Sequence, residues 1–328
     1  MNILIRTDAS NEIGSGHVMR CLTIAYHLQN FGHHVTFWMD PLLGHMIDLV
    51  EKLGYVVIQK EQSVDILIVD HYQLDMTWEQ QMRKFARKIV VIDDLANRKH
   101  DCDLLLDQNV IANYEHRYDE LVPIHCKKLL GPKYLIMRDE FIKERAKQTI
   151  RTGEVNRLLV FMGGSDPTNE TMKVLQALTE TTTAFQHVDI VVGMSNVYRT
   201  EIEDLCRQHH YSYHCQINYM AKLMSSTDFS IGAGGSTTWE RCYVGLPSAS
   251  TIVAHNQLES TEMAEQLSAI INLGWHEQVT SQTYVKLLDS LPSQGERIRH
   301  ISEQGLKITA SQDQPNPWLQ EMVESHYD

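Results

Sequence analysis

Two α/β domains, each built on an open, mostly parallel Rossmann-like sheet, are what this sequence predicts, and three observations carry the prediction. The chain has 328 residues, against roughly 150 for a typical single domain. Short apolar runs alternate with longer stretches of helical periodicity, which is the pattern of parallel βαβ units rather than of an all-β sandwich. A charged, glycine-containing segment at 141–156 separates two halves, each with enough strand and helix for its own sheet.

In the first half, strands are expected at 2–7 (NILIRT), 34–39 (HVTFWM), 55–59 (YVVIQ), 65–70 (DILIVD), 88–93 (KIVVID) and 102–107 (CDLLLD), with helices at 18–31 and 77–88. The second half repeats the scheme at 157–162 (RLLVFM), 188–193 (VDIVVG), 211–215 (YSYHC), 228–233 (DFSIGA) and 247–252 (PSASTI). The segment between them carries Lys143, Glu144, Arg145, Lys147, Arg151 and Gly153, so it is the candidate linker. The domains are therefore placed at 1–145 and 146–310, facing each other across a cleft, with a helical tail at 311–328. Within that tail, Gln314-Pro315-Asn316-Pro317 should break a helix before an apolar-spaced segment at 318–323.

Composition narrows the function. There are 29 Lys and Arg against 42 Asp and Glu, a formal charge of −13, and no basic run, which excludes general nucleic-acid binding. An anionic small ligand stays open, because backbone N–H groups at helix N-termini bind phosphate without a basic surface. The six cysteines, Cys21, Cys102, Cys126, Cys206, Cys215 and Cys242, form no CxxC pair and read as reduced thiols. With no uninterrupted apolar run of about 18 residues, no membrane insertion is expected, and the protein reads as cytoplasmic and monomeric.

Chemistry is expected in the loops after strands. The first strand runs into Asp8-Ala9-Ser10-Asn11-Glu12-Ile13-Gly14-Ser15-Gly16-His17, and a helix follows. Gly14 and Gly16 let backbone approach a ligand, with Ser15 between them. The dinucleotide fingerprint needs a third glycine where Met19 stands, so a dinucleotide cofactor is disfavoured. No phosphate loop, nucleophile elbow or HExxH zinc motif is present. His17, near a helix N-terminus, has its charged form disfavoured and suits a general base, unless it only caps the helix or packs in the turn. Two further turns, Gly163-Gly164-Ser165-Asp166-Pro167 and Gly234-Gly235-Ser236-Thr237-Thr238-Trp239-Glu240-Arg241, read either as phosphate cradles or as ordinary capped turns. Glu240 would lie about one helical turn on, placed to take two ribose hydroxyls. Asp70-His71-Tyr72 and Asp93-Asp94 end two more strands and either orient a substrate or cap loops. The cluster His209, His210, Tyr211, Tyr213, His214 and Cys215 invites a metal reading, but strand alternation splits it between two faces and no metal is expected.

Taken together with Arg6-Thr7-Asp8-Ala9-Ser10 and Ile13-Gly14-Ser15-Gly16-His17-Val18-Met19-Arg20-Cys21, these segments resemble the PseG family, from the first strand to about Ala264. Its members are UDP-2,4-diacetamido-2,4,6-trideoxy-β-L-altropyranose hydrolases of pseudaminic acid biosynthesis, related to the MurG glycosyltransferase. The resemblance implies a GT-B architecture, with the nucleotide held mainly by the C-terminal domain and the sugar between the domains. It implies metal-independent, cofactor-free hydrolysis that releases UDP with inversion at the anomeric carbon. His17 matches the histidine that activates water. Tyr72, with Asn256 in Ala254-His255-Asn256-Gln257, would orient substrate or diphosphate, and Asp70 and Gln257 would belong to the binding set.

That chemistry is coherent, since fixed N–H dipoles can stabilise departing UDP and one base then suffices. Ordinary glycosidases need a carboxylic acid as well. Two rivals stand beside it. A MurG-like glycosyltransferase would admit an acceptor hydroxyl in place of water, and a non-catalytic module would bind a nucleotide sugar without turnover. A hydrolase for a related UDP-2,4-diamino sugar is a further variant.

Overall fold

The computed structural model describes residues 1–10, 12–147, 150–310 and 315–324. It has two compact units, Met1–Met137 with Ser311–Asp328, and Arg138–Ala310. In unit 1 the strands are β1 (Asn2–Thr7), β2 (His34–Trp38), β3 (Val56–Ile58), β4 (Val64–Asp70), β5 (Ala86–Ile92), β6 (Leu104–Asp107) and β7 (Lys127–Leu130). They form one parallel sheet in the order β3-β2-β1-β4-β5-β6-β7, with α1 (Gly16–Asn30), α2 (Ile47–Lys52) and α3 (Met76–Met82) in the crossovers. The strand order reverses beside β1, where the chain leaves β1 for β2 on one side and β4 lies on the other. Open α/β sheets bind ligands at such a switch point, outside the strands' carboxyl ends.

Unit 2 repeats the plan. Strands β8 (Arg157–Phe161), β9 (His187–Val192), β10 (Ser212–Cys215), β11 (Phe229–Ala233), β12 (Ser248–Ile252) and β13 (Ile271–Trp275) lie parallel in the order β10-β9-β8-β11-β12-β13. Its helices are α4 (Asp139–Arg145), α5 (Glu170–Glu180), α6 (Arg199–His209), α7 (Met220–Ser225), α8 (Thr237–Tyr243), α9 (Leu258–Gln266), α10 (Ser281–Ser290) and α11 (Gly295–Ile308). Buried strand residues Leu158, Val160, Ile190, Phe229 and Ile231 meet Val174, Ile202, Leu288 and Ile298 from the helices. Central strands read as unbroken apolar runs because both faces are covered.

In unit 1 the spacing Val18, Cys21, Leu22, Ala25, Leu28 lays one face of α1 on Ile3, Ile5, Phe37 and Ile68. The same core takes in Trp318, Leu319 and Met322 of α12 (Trp318–Val323), so the chain returns to its first unit after completing the second. Asn316 ties exit to return: its Oδ1 accepts from the Met137 N–H at 2.9 Å and its Nδ2 donates to the Met137 carbonyl at 3.0 Å. Lys88 then donates to the carbonyls of Glu321 and Glu324 at the end of α12, each at 2.9 Å.

Several expectations are revised. The division falls at 137/138 rather than 145/146, and the expected linker opens inside α4, where Phe141 is fully buried. Its arginines are structural: Arg145 donates to the carbonyls of Tyr243 and Leu306, and Arg151 to those of Met224 and Ser225. Charge in that segment serves carbonyls at helix ends, which a composition count reads as solvation. The helix expected at 77–88 stops at Met82 because β5 already begins at Ala86. Strands β7 (KKLL) and β13 (INLGW) were not expected; both are edge strands, where lysine, asparagine and glycine replace an apolar run. Of the predicted helix break, Gln314 lies outside the described residues, as do 311–313 and 325–328 of the expected tail.

Truncating Trp318 tests the return segment. Trp318→Ala should cost about 3–5 kcal/mol of unfolding free energy, read as a lowered urea midpoint. A midpoint within error of wild type would show that α12 adds nothing to the unit 1 core.

Candidate active site

The turn after β1 is built by Ser10. Its hydroxyl accepts from the N–H groups of Glu12 at 3.2 Å and Ile13 at 3.0 Å, and its carbonyl from Gly14 at 2.8 Å. Gly14 has φ +80°, the left-handed region, so glycine is required there by conformation. Gly16 differs, because a Cβ on it would meet nothing within 4 Å. The fold leaves that position open without needing it to be glycine.

His17 stands on the first turn of α1 and Arg20 one turn on, so both project from one face. Pairing of β1 with β4 sets Thr7 beside Asp70 and brings the Asp70 carboxylate under that face. The His17 Nδ1–H donates to Asp70 Oδ1 at 2.6 Å. Arg20 grips the same carboxylate with two nitrogens, Nη2 to Oδ1 at 2.7 Å and Nε to Oδ2 at 2.9 Å. Asp70 is wholly buried. Burial opposes its ionisation, but Arg20 and His17 outweigh that and hold its carboxyl well below the usual range. Burial and the nearby Asp70 charge push the Cys21 thiol well up, which leaves it an inert core group. The Tyr72 ring meets the imidazole edge-on, with centroids 4.4 Å apart.

A second histidine nearby shows what distinguishes His17. His71 Nε2–H donates to Asp8 at 3.2 Å while its Nδ1 accepts from the Gln73 N–H at 3.1 Å, so both nitrogens are engaged. Asp8 is in turn held by two nitrogens of Arg6 at 2.8 Å each. For His17, Nε2 has no hydrogen-bond partner among the described residues, and it is the one ring nitrogen of the two arrangements that can serve a ligand. The pair Asp93-Asp94 divides: Asp93 is buried against Arg98 and caps the Ala96 N–H, whereas Asp94 reaches Arg20 at 3.4 Å. Asp107, ending β6, is pushed up by burial to about 7 despite Arg117 at 2.8 Å.

In unit 2 the two glycine turns are unequal. Asp166 accepts from the N–H groups of Glu170 and Thr171 at 2.9 Å each, so a carboxylate of the chain itself already caps α5 behind Gly163, Gly164 and Ser165. The other turn is shaped by close approach. A Cβ on Gly234 would stand 2.2 Å from Thr261 Oγ1, and one on Gly235 3.5 Å from Gln257 Nε2. Gly234, Gly235 and Gln257 are therefore brought together, and the N–H groups of Gly235, Ser236 and Thr237 make no backbone hydrogen bond among the described residues. Glu240 Oε1 accepts from Arg138 at 3.0 Å while Oε2 has no hydrogen-bond partner among the described residues. Asn256 is exposed in the turn before α9. The histidine cluster is dispersed: His214 and His187 share Asp189 at 2.8 and 3.2 Å, and His209 stacks on Tyr211.

Arg20 and Arg138 were not singled out from the sequence. Only the i to i+3 spacing of Arg20 from His17 could have signalled the first, and nothing local links Arg138 to Glu240.

No family model matches the chain. It is 29% identical over 270 residues, 75% of its length, to an uncharacterized protein of Methanocaldococcus jannaschii, and spans about half of that protein (54%). It is 28% identical over 220 residues to the UDP-2,4-diacetamido-2,4,6-trideoxy-beta-L-altropyranose hydrolase of Campylobacter jejuni, covering 64% of this chain and 76% of that one. The spore coat polysaccharide biosynthesis protein SpsG of Bacillus subtilis is 27% identical over 309 residues, 89% of each chain. Among solved structures, Acinetobacter baumannii MurG matches with a TM-score of 0.62 at 13% identity, covering 98% of this chain and 97% of that one. Anabaena HepE in complex with UDP gives 0.60 at 14%, covering 98% of each. The structural likeness establishes the fold, which is GT-B.

The buried carboxylate makes a prediction for acid stability. A depressed native pKa stabilises the fold fully above the unfolded value of about 4, and that stability is lost as pH falls through the lower native value. Asp70→Asn, which leaves Arg20 only the more distant Asp94 at 3.4 Å, should cost about 3–5 kcal/mol at pH 7 and flatten the acid limb of urea-measured stability below about pH 5. An acid limb as steep as that of wild type would assign the acid sensitivity to other carboxylates.

Proposed function

Proceeding from a chain that is PseG-like in sequence and GT-B in fold, we propose that this protein hydrolyses a UDP-linked 2,4-diacetamido-2,4,6-trideoxyhexose, with the β-L-altropyranose as the first substrate to test. The observation that carries the reading is the state of His17. Its Nδ1–H is committed to a buried carboxylate and its Nε2 is unspent at an open glycine turn. A general base needs that arrangement, in which one nitrogen is fixed, the other presents a lone pair, and an anion stabilises the imidazolium that forms.

In the proposed step, Nε2 takes a proton from water as the oxygen attacks the anomeric carbon. The bond from that carbon to the diphosphate oxygen breaks, UDP leaves with the electron pair, and a single displacement inverts the centre. UDP needs charge stabilisation rather than a proton, so no second carboxylic acid is required. The open N–H groups of Gly235, Ser236 and Thr237 suit the diphosphate. Glu240 Oε2 suits the ribose hydroxyls. Tyr72, Asn256 and Gln257 orient the substrate, and Gly163, Gly164 and Ser165 make a lesser contribution because Asp166 already answers the dipole of α5. Ser15 and Gly14 shape the turn that presents His17. Small-molecule nucleotide sugar is the sole partner proposed, and no described helix is long and apolar enough to cross a membrane.

Wild type should release UDP from this substrate in the presence of EDTA, and His17→Ala should lower kcat by roughly 10²-fold or more with UDP affinity within about threefold. Near wild-type turnover in the variant would remove His17 from the mechanism, and UDP release only on addition of a sugar-acceptor alcohol would identify a transferase. Gly16→Ala separates fold from ligand. It should leave Tm unchanged or raise stability by about 0.5–1 kcal/mol, while kcat/KM falls at least about tenfold through contact with substrate. Unchanged kcat/KM would move the substrate away from this turn.

A further inference from the structure

Arg241 is wholly buried, and no carboxylate lies within ion-pair distance of it among the described residues. Its Nη2 donates to the Ala233 carbonyl at 3.0 Å, to Thr238 Oγ1 at 3.0 Å and to Ser250 Oγ at 2.9 Å. Its Nε and Nη1 donate to no atom among the described residues. Nη1 lies against Gly232, where a Cβ would stand 2.2 Å away, so the strand is glycine at that point to admit the guanidinium. Buried arginines are ordinarily paired, because an uncompensated charge in the interior is costly. Burial lowers this guanidinium to about 10, which leaves it cationic at neutral pH.

The neutral acceptors around Arg241 have a common location. Ala233 ends β11 immediately before the 234–237 turn, Thr238 follows that turn, and Ser250 lies on β12 beside Gly232. The turn itself, Gly234-Gly235-Ser236-Thr237, contains no cationic side chain, and neither does the 163–166 turn. A diphosphate bound at 234–237 would therefore meet open N–H groups but no formal charge from the turn.

We propose that Arg241 is a positioning residue whose buried, unpaired charge is the counter-charge for the anionic group bound at the 234–237 turn. It acts through the Ala233 carbonyl and the Thr238 hydroxyl without touching the ligand. The proposal rests on reading that turn as the diphosphate site. In the protein interior the attraction is screened less by salt than a surface arginine would be. The arrangement also avoids closing the turn with a long side chain.

The test is calorimetric binding of UDP, uridine and inorganic pyrophosphate to the full chain, as wild type and as Arg241→Met, Arg241→Lys and Arg241→Gln. Arg241→Met should weaken UDP and pyrophosphate about tenfold or more while uridine stays within about twofold, and Arg241→Lys should return UDP to within about threefold. Equal loss for UDP and uridine would mean that Arg241 only shapes the turn, and no loss would remove it altogether; either overturns the proposal. Should Arg241→Met fail to fold, the comparison is Lys against Gln, which both donate to Ala233 and differ in charge; equal UDP affinity overturns the proposal. Wild type that binds pyrophosphate but not UDP, with Arg241→Met weakening it, would defeat the nucleotide reading and leave this one standing. Wild type that binds neither defeats both.

Discussion

Asp70 carries a full negative charge with no exposure to water, and several kcal/mol of desolvation oppose that state unless hydrogen bonds and counter-charge answer it. Arg20 answers it with two nitrogens and His17 with one. The proposed chemistry depends on this arrangement. Without Arg20, the carboxylate would tend to protonate and release the imidazole; without Asp70, neither the orientation of His17 nor the assignment of its proton to Nδ1 would be held. The charge is placed by sheet pairing rather than by local sequence, since β4 sits beside β1 and α1 begins directly after the β1 turn.

Asp70 is one of a row. Adjacent strands β1, β4, β5 and β6 are each followed or ended by a buried aspartate, and each aspartate meets its own arginine: Asp8 with Arg6, Asp70 with Arg20, Asp93 with Arg98 and Asp107 with Arg117, at 2.7–2.8 Å. Such pairs need not add net stability over an apolar edge. They do hold the carboxyl ends of four strands in a polar, ordered state, where loops must stay open to a ligand rather than collapse on one another. The pairs are not equivalent. Asp70 ionises more readily than a free aspartate and Asp107 much less readily, so proximity of an arginine alone does not decide the outcome. Asp107 also has Asp93 and Asp94 nearby, and Tyr118 bridges it to Asp93.

Much of the plan was legible in the chain. Apolar runs such as NILIRT and DILIVD announced central strands, because a strand covered on both faces has no polar alternation to confuse the reading. The turn from Ser10 to Gly16 was legible as a strand-to-helix junction, because a serine and two glycines are residues that a tight turn favours. Illegible were two of the four edge strands, β7 and β13, which carry lysine, asparagine and glycine, and the segment at 141–156, whose arginines spend their charge on distant carbonyls. Long-range pairing explains the rest. Arg20 finds Asp70 fifty residues on, and Glu240 finds Arg138 about a hundred residues back, and no local pattern encodes such contacts. Asp166 was visible in its motif, but that it would cap α5 itself required the backbone trace.

The return of α12 to unit 1 makes that unit discontinuous and places a burden on synthesis. Roughly 180 residues separate Met137 from Trp318, and at about 5–20 residues per second the ribosome needs on the order of ten to thirty seconds to make them. Through that interval the faces of Ile5, Phe37 and Leu28 that belong to the same core lack the indole that completes it. Unit 2, continuous in sequence, has every strand it needs before the last piece of unit 1 emerges. The unit bearing His17 is begun first and finished last, so the nascent chain presents an incompletely covered apolar face during translation.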